Sequence, residues 1–173
     1  YTTLFRSQVA TIAHALAVIH NLKFGGSIDV YKVATTALYH DASEIITGDL
    51  PSPIKYHSDK IRLAYQEIEH IAEQELLDLL PQSLREHYRE LLLHDAMDNN
   101  IARFVKAADI ISAYLKCQAE MQAGNMEFKS AQIDLEQRVR KLDMPEVHYF
   151  MSTFNESYLL TLDELLLQHD AHK

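Results

Sequence analysis

Gln8-Val9-Ala10-Thr11-Ile12-Ala13-His14-Ala15-Leu16-Ala17-Val18-Ile19-His20-Asn21-Leu22 decides the fold class. Its apolar residues Val9, Ile12, Ala13, Leu16, Ala17 and Ile19 recur at helical spacing, so one face of a helix is to be buried. Gly25-Gly26 ends it, and Ser27 is a candidate N-cap for a second helix from Ile28 to about Ile46 that turns Val33, Ala34, Ala37 and Leu38 inward. From Asp59 to Leu80 the period returns through Ile61, Ala64, Tyr65, Ile68, Ile71, Ala72, Leu76 and Leu80, and Pro81 stops it. Further helices are expected over Ser83 to Leu93, Asn99 to Ala123, Glu127 to Leu142, Glu146 to Phe154 and Leu162 to Gln168. No stretch keeps a period of two between turn signals. The expectation is all-α, a helical bundle with irregular crossing angles.

The chain has 173 residues, 47% hydrophobic and 24% charged, which suits one domain with a sizeable core. Four Gly and four Pro leave no linker or low-complexity run. A net charge of −9 argues against a nucleic-acid polymer as partner, because such binding needs Lys and Arg to displace counterions. No apolar run approaches the roughly 18 residues of a membrane span, and the amino terminus lacks the pattern of a signal peptide. The single Cys117 forms no intrachain disulfide, reads as buried packing, and fits a reducing compartment. A cytoplasmic protein that does not engage a membrane is expected.

Tyr1-Thr2-Thr3-Leu4-Phe5-Arg6-Ser7 is the literal translation of TACACGACGCTCTTCCGATCT, a widely used sequencing-adapter sequence. These residues read as a fusion artefact in place of native sequence, which leaves 8–173 as the domain.

Chemistry concentrates in Tyr39-His40-Asp41-Ala42-Ser43-Glu44. On a helix Glu44 stands three residues from Asp41 and four from His40, so the three form one patch. An imidazole beside carboxylates suits a divalent ion such as Co, Mn or Zn without choosing among them. Two protein ligands are too few, and Asp109 in Val105-Lys106-Ala107-Ala108-Asp109-Ile110-Ile111 is the best addition, because a carboxylate in an apolar run is costly unless a cation meets it. Pairing of Asp109 with Lys106 at the surface is the plainer alternative. Thr47-Gly48-Asp49-Leu50-Pro51-Ser52-Pro53 breaks the helix just after the cluster and offers a substrate loop. His14 reads as packing or solvated, and the remaining histidines outside the cluster, His20, His70 and His94 among them, as carrying no chemistry.

Together these pieces resemble the HD-domain phosphohydrolases, and within them the bacterial 5′-deoxynucleotidases of the YfbR type. The carriers are Gln8-Val9-Ala10, Ala13-His14-Ala15-Leu16, Lys23-Phe24-Gly25-Gly26, Tyr39 to Glu44, Thr47 to Pro51, Lys55-Tyr56, Ala108-Asp109 and Ala113-Tyr114-Leu115-Lys116-Cys117. The resemblance implies an HD-domain helical bundle, usually a homodimer, that uses one divalent metal to remove phosphate from deoxyribonucleoside 5′-monophosphates. It implies metal ligation by His40, Asp41 and Asp109, and a catalytic role for Glu44 in activating or positioning water. It also implies nucleotide contacts from Asp41, Asp49, Leu50, Pro51, Ser52 and Asp109.

One departure matters. The family pattern Glu-His-Ser-x-Gln-Val-Ala supplies a further metal-binding His where this chain has Phe5, inside the suspected artefact. His14 lies about 13 Å farther along the same helix and is no substitute. The family's preceding helix, with its Arg and Trp contacts, is also missing. The expectation is an active native gene product and a 173-residue chain that binds metal weakly and turns over slowly or not at all. An HD phosphohydrolase acting on a nucleoside triphosphate or other phosphoester, and a metal-free helical dimerisation module, remain alternatives.

Overall fold

The computed structural model describes residues 2–55, 57–161 and 163–164. In chain order these form α1 (Thr2–Lys23), α2 (Val30–Tyr39), α3 (Glu44–Thr47), α4 (Ser52–Lys55), α5 (Asp59–Asp78), α6 (Gln82–Leu92), α7 (Asn99–Gln122), α8 (Lys129–Arg140) and α9 (Pro145–Phe154), with short 3-10 turns at His94–Ala96, Met126–Phe128 and Glu156–Leu159. Among the described residues there is no strand, as expected, and no helix long and apolar enough to cross a membrane. The expected segment Leu162 to Gln168 lies mostly outside the described residues.

α7 is the centre of the fold. Phe104, Val105, Ala108, Ile111 and Leu115 meet Val9, Ile12, Ala13 and Leu16 of α1, Val33 and Ala37 of α2, and Val147 and Phe150 of α9 in one buried cluster. Each fully buried Leu, Ile or Phe side chain contributes roughly 2 kcal/mol. Cys117 is buried, as its apolar neighbours predicted. Ser112 Oγ donates to Gln8 Oε1 at 2.8 Å, an internal polar tie between α7 and α1. A smaller cluster of Leu77, Leu92 and Leu93 joins α5 to α6, with Tyr39, Ala42 and Tyr88 packed against it. This second cluster holds α5 and α6 beside the chain that leaves α2.

Four expectations need correction. Asp29, not Ser27, caps α2, its Oδ1 accepting from the backbone N–H groups of Tyr31 and Lys32 at 3.0 Å. The helix expected to run to Ile46 stops at Tyr39, with a tight turn through His40–Ser43 before α3. Leu38, expected inside, is 49% exposed. On α5 the period is right but only the end of the expected row packs: Ile61, Ala64, Ile68 and Ile71 are exposed, while Ala72 is buried together with Glu73 and Leu77, and Leu76 and Leu80 pack against the second cluster. Apolar residues lie on both sides of that helix, and packing against α6 selects the Leu77 side.

Candidate active site

His40, Asp41 and Glu44 stand where α2 ends and α3 begins. The turn between them is built on i to i+3 bonds, Ala42 N–H to the Tyr39 carbonyl at 2.9 Å and Glu44 N–H to the Asp41 carbonyl at 3.1 Å. In such a turn residues three apart nearly eclipse. Asp41 and Glu44 therefore share a face even though the continuous helix assumed from the sequence is absent.

His40 is oriented from behind. Its Nδ1 lies 2.7 Å from the Ala37 carbonyl oxygen, and only an N–H can satisfy that contact, so the lone pair of the neutral ring sits on Nε2. Nε2 is buried and stands 2.9 Å from Asp41 Oδ2. The protonated ring donates from Nε2 to Asp41, and the neutral ring would offer a cation the Nε2–Oδ2 donor pair, with the carbonyl behind the imidazole in the place that supports a metal-bound histidine. Burial works against the charged imidazole, but Asp41, the Ala37 carbonyl and Asp109 outweigh it, and the pKa stands above the ordinary 6.5.

Asp109 projects from the middle of α7. Burial raises its pKa, opposed chiefly by the charge of His40 and also by Lys106 and Arg138, while Asp41 pushes the same way as burial. Its field is thus shared with His40 and Asp41. Among the described residues, however, no three His, Cys, Asp or Glu side chains are gathered closely enough to hold an ion. His40 and Asp41 fit a metal as a pair, and the third ligand is not brought into contact with them.

A guanidinium occupies the edge of this patch. Arg6 Nη2 donates to the Asp41 carbonyl at 2.8 Å and lies 3.3 Å from Glu44 Oε2. Burial, then Asp41 and Asp49, push the Glu44 pKa up, and Arg6 pulls it back. The sequence reading set Arg6 aside with the first seven residues, so it missed this contact. The helix that carries Arg6 is continuous with the well-patterned stretch from Gln8.

The loop that follows is shaped at Gly48, whose φ of 70° favours glycine. Asp49 and Pro51 are exposed, Leu50 is half-buried, and α4 starts at Ser52. The charge of Asp49 reaches Glu44. Two histidines read as idle have structural partners. His94 binds the buried Glu73 through both its ring and its backbone N–H, and His20 faces the buried Glu146 at 3.5 Å. Both partners are distant in sequence, so nothing local announced them.

Comparison with known proteins follows the same lines. Residues 5–158 match the family model described as 5′-deoxynucleotidase YfbR-like. A 5′-deoxynucleotidase of Vibrio cholerae serotype O1 is 48% identical over 158 residues, covering 91% of this chain and 81% of the relative. Those of Shewanella oneidensis and Yersinia pestis (strain Pestoides F) are 47% and 48% identical over 158 and 160 residues, with 81% of each relative covered. Among solved structures, an HD-domain phosphohydrolase from Listeria innocua superposes with a TM-score of 0.76 at 19% identity, over 99% of this chain and 84% of that one. That last likeness concerns the fold.

Proposed function

The chain belongs to the YfbR-like 5′-deoxynucleotidase family, and from that premise we propose that its site hydrolyses the 5′-phosphate of deoxyribonucleoside 5′-monophosphates. His40, Asp41 and Asp109 would hold one divalent ion. The observation that carries this reading is the buried His40 Nε2 facing Asp41 Oδ2 at 2.9 Å, with Nδ1 committed to the Ala37 carbonyl. When bound, such an ion supplies Lewis-acid polarisation of the phosphoryl oxygen and a lowered pKa for water.

The remaining work falls to the chain. Glu44 accepts a proton from the attacking water as its oxygen bonds to phosphorus and the bond from phosphorus to O5′ breaks. The leaving O5′ takes up a proton, giving deoxynucleoside and phosphate. Asp49, Leu50, Pro51 and Ser52 contact the nucleotide, with Asp41 and Asp109 bordering it. Cobalt and manganese are the first ions to try, since imidazole and carboxylate donors suit both. A homodimer accords with the family resemblance, and a cytoplasmic location with the single cysteine and the composition.

The first seven residues, we infer, are foreign, and Phe5 stands where the family has a metal-binding His. The chain as it stands is therefore an impaired enzyme, a reading supported by the Arg6 guanidinium lying on Glu44. The test is phosphate release from dAMP and AMP, with and without cobalt, from this chain and from a version in which a Glu-His-Ser segment and a preceding helix are restored. Cobalt-dependent release from dAMP in the restored protein supports the proposal. Release of pyrophosphate or triphosphate from a nucleoside triphosphate instead, or no activity in either protein, overturns it.

A further inference from the structure

The loop between α3 and α4 is fastened at both stems to one face of α5. At its start, the Tyr65 hydroxyl donates to the Gly48 carbonyl at 3.1 Å, and the Thr47 hydroxyl donates to the same oxygen at 2.9 Å. The two hydroxyl oxygens are 3.4 Å apart. Both lone pairs of that carbonyl are thus used, one by the loop itself and one by α5. At its far end, Lys55 Nζ pairs with Glu69 Oε1 at 2.7 Å and lies 4.7 Å from the centre of the Tyr65 ring. Tyr65 and Glu69 are four residues apart on the helix, so they present their side chains one above the other. The lysine links the two ties, bonded to the carboxylate and stacked on the phenol.

The consequence reaches the site through Gly48. Its N–H donates to the Glu44 carbonyl at 2.9 Å while its own carbonyl accepts from Tyr65, and Asp49 follows directly. Between the stems Pro51 accepts from the backbone N–H groups of Ile54 and Lys55 at 2.8 and 3.1 Å. Ties at both ends lower the entropy that ordering the Asp49 to Ser52 segment costs.

We propose that Tyr65, backed by the Lys55–Glu69 pair, is a positioning residue that holds the Asp49 to Ser52 segment in its nucleotide-binding form. This rests on the deoxynucleotidase reading of the loop. The hydroxyl of Tyr65, rather than its ring, is the active part, and its loss weakens nucleotide binding without touching the metal ligands.

The test uses the full chain and Tyr65→Phe, which keeps the ring beneath Lys55 and removes only the hydroxyl, with Glu69→Gln as a second variant. Amide hydrogen exchange at Asp49 and Leu50, the dissociation constant of dAMP in the presence of cobalt, and the cobalt dissociation constant are measured. Exchange at those amides about five- to tenfold faster in Tyr65→Phe, dAMP binding weakened by a similar factor, and unchanged cobalt affinity are expected. Unchanged loop exchange, or unchanged dAMP affinity in both variants, overturns the proposal. Faster loop exchange in a chain whose parent binds cobalt but no dAMP overturns the nucleotide reading and, with it, this role, while leaving the fastening itself established.

Discussion

Replacing His94 with Ala takes the imidazole away from a carboxylate that scarcely meets water. The Glu73 side chain is 4% exposed, and it accepts from the His94 ring and, at 3.1 Å, from the His94 backbone N–H. The backbone bond survives the substitution, so the loss is one charge-assisted hydrogen bond, about 2 kcal/mol. The imidazole is 61% exposed, and screening keeps the loss below the roughly 3–5 kcal/mol of breaking a fully buried pair. At about 2–4 °C per kcal/mol for a chain of this size, Tm at pH 6 should fall by about 4–8 °C.

The pH dependence gives the sharper check. Burial alone would raise the Glu73 pKa, but the bonds and charge of His94, with His70 adding, bring it below 4.5. The bond to Glu73 raises His94 above 6.5 against burial, with Glu69 helping and His40 opposing. The depressed carboxylate stabilises the fold above 4.5 and loses that contribution as pH falls through its lower folded value. The raised imidazole contributes fully below 6.5 and loses its share as pH rises through its higher folded value. The gap in Tm between parent and His94→Ala should be widest from about pH 5 to 6.5 and narrow on both sides. Melting curves by circular dichroism from pH 4 to 9 check it. A Tm within 1 °C of the parent at pH 6, or a gap that widens towards pH 8, refutes the reasoning.

Asp109→Asn relieves a buried carboxylate whose pKa burial holds up. Its metal-free Tm should equal or slightly exceed the parent's, while any rise in Tm produced by cobalt disappears, as read by melting with and without the ion. Arg6→Gln removes the cation from Glu44 and should tighten cobalt binding several-fold by calorimetry, with a metal-free loss below about 1 kcal/mol because the pair is partly exposed. Gly26→Ala places a Cβ 2.1 Å from His20 Cδ2, so the ring must leave its position against Glu146. The cost should be about 1–3 kcal/mol in thermal or urea melts, and His20→Ala in the same chain should recover part of it.

What the sequence disclosed follows from where each signal resides. α1 was legible because one unbroken apolar stripe, Val9 to Ile19, admits only one buried face, and that face is buried. α2 was legible up to Tyr39. Its end was not, because His40 to Ser43 contains neither Gly nor Pro, and the turn is set by i to i+3 bonds within an otherwise helix-compatible stretch. α5 carried apolar residues on two sides, so the period fixed its state but left the face to α6. Glu73 went unremarked because its partner His94 is 21 residues away, and a buried acid on a charged helix looks like any solvated one until that partner is found.

The two chemical groups at the site teach different things about it. Asp41, Glu44 and Asp49 raise the local negative potential enough that each of the other two pushes the Glu44 pKa up. A field of that sign attracts whatever cation the chain can reach, and the nearest is Arg6. Its position accords with the negative charge of the site. The His40 contact is of another kind. Fixing Nδ1 on the Ala37 carbonyl turns Nε2 toward Asp41 Oδ2 at 2.9 Å, a pair that either a proton on the imidazole or a bridging cation satisfies. The Arg6 guanidinium takes no part in that contact, since it touches the Asp41 carbonyl and Glu44 but not Nε2. An imidazole held in this way suits the divalent ion that we propose His40 and Asp41 share.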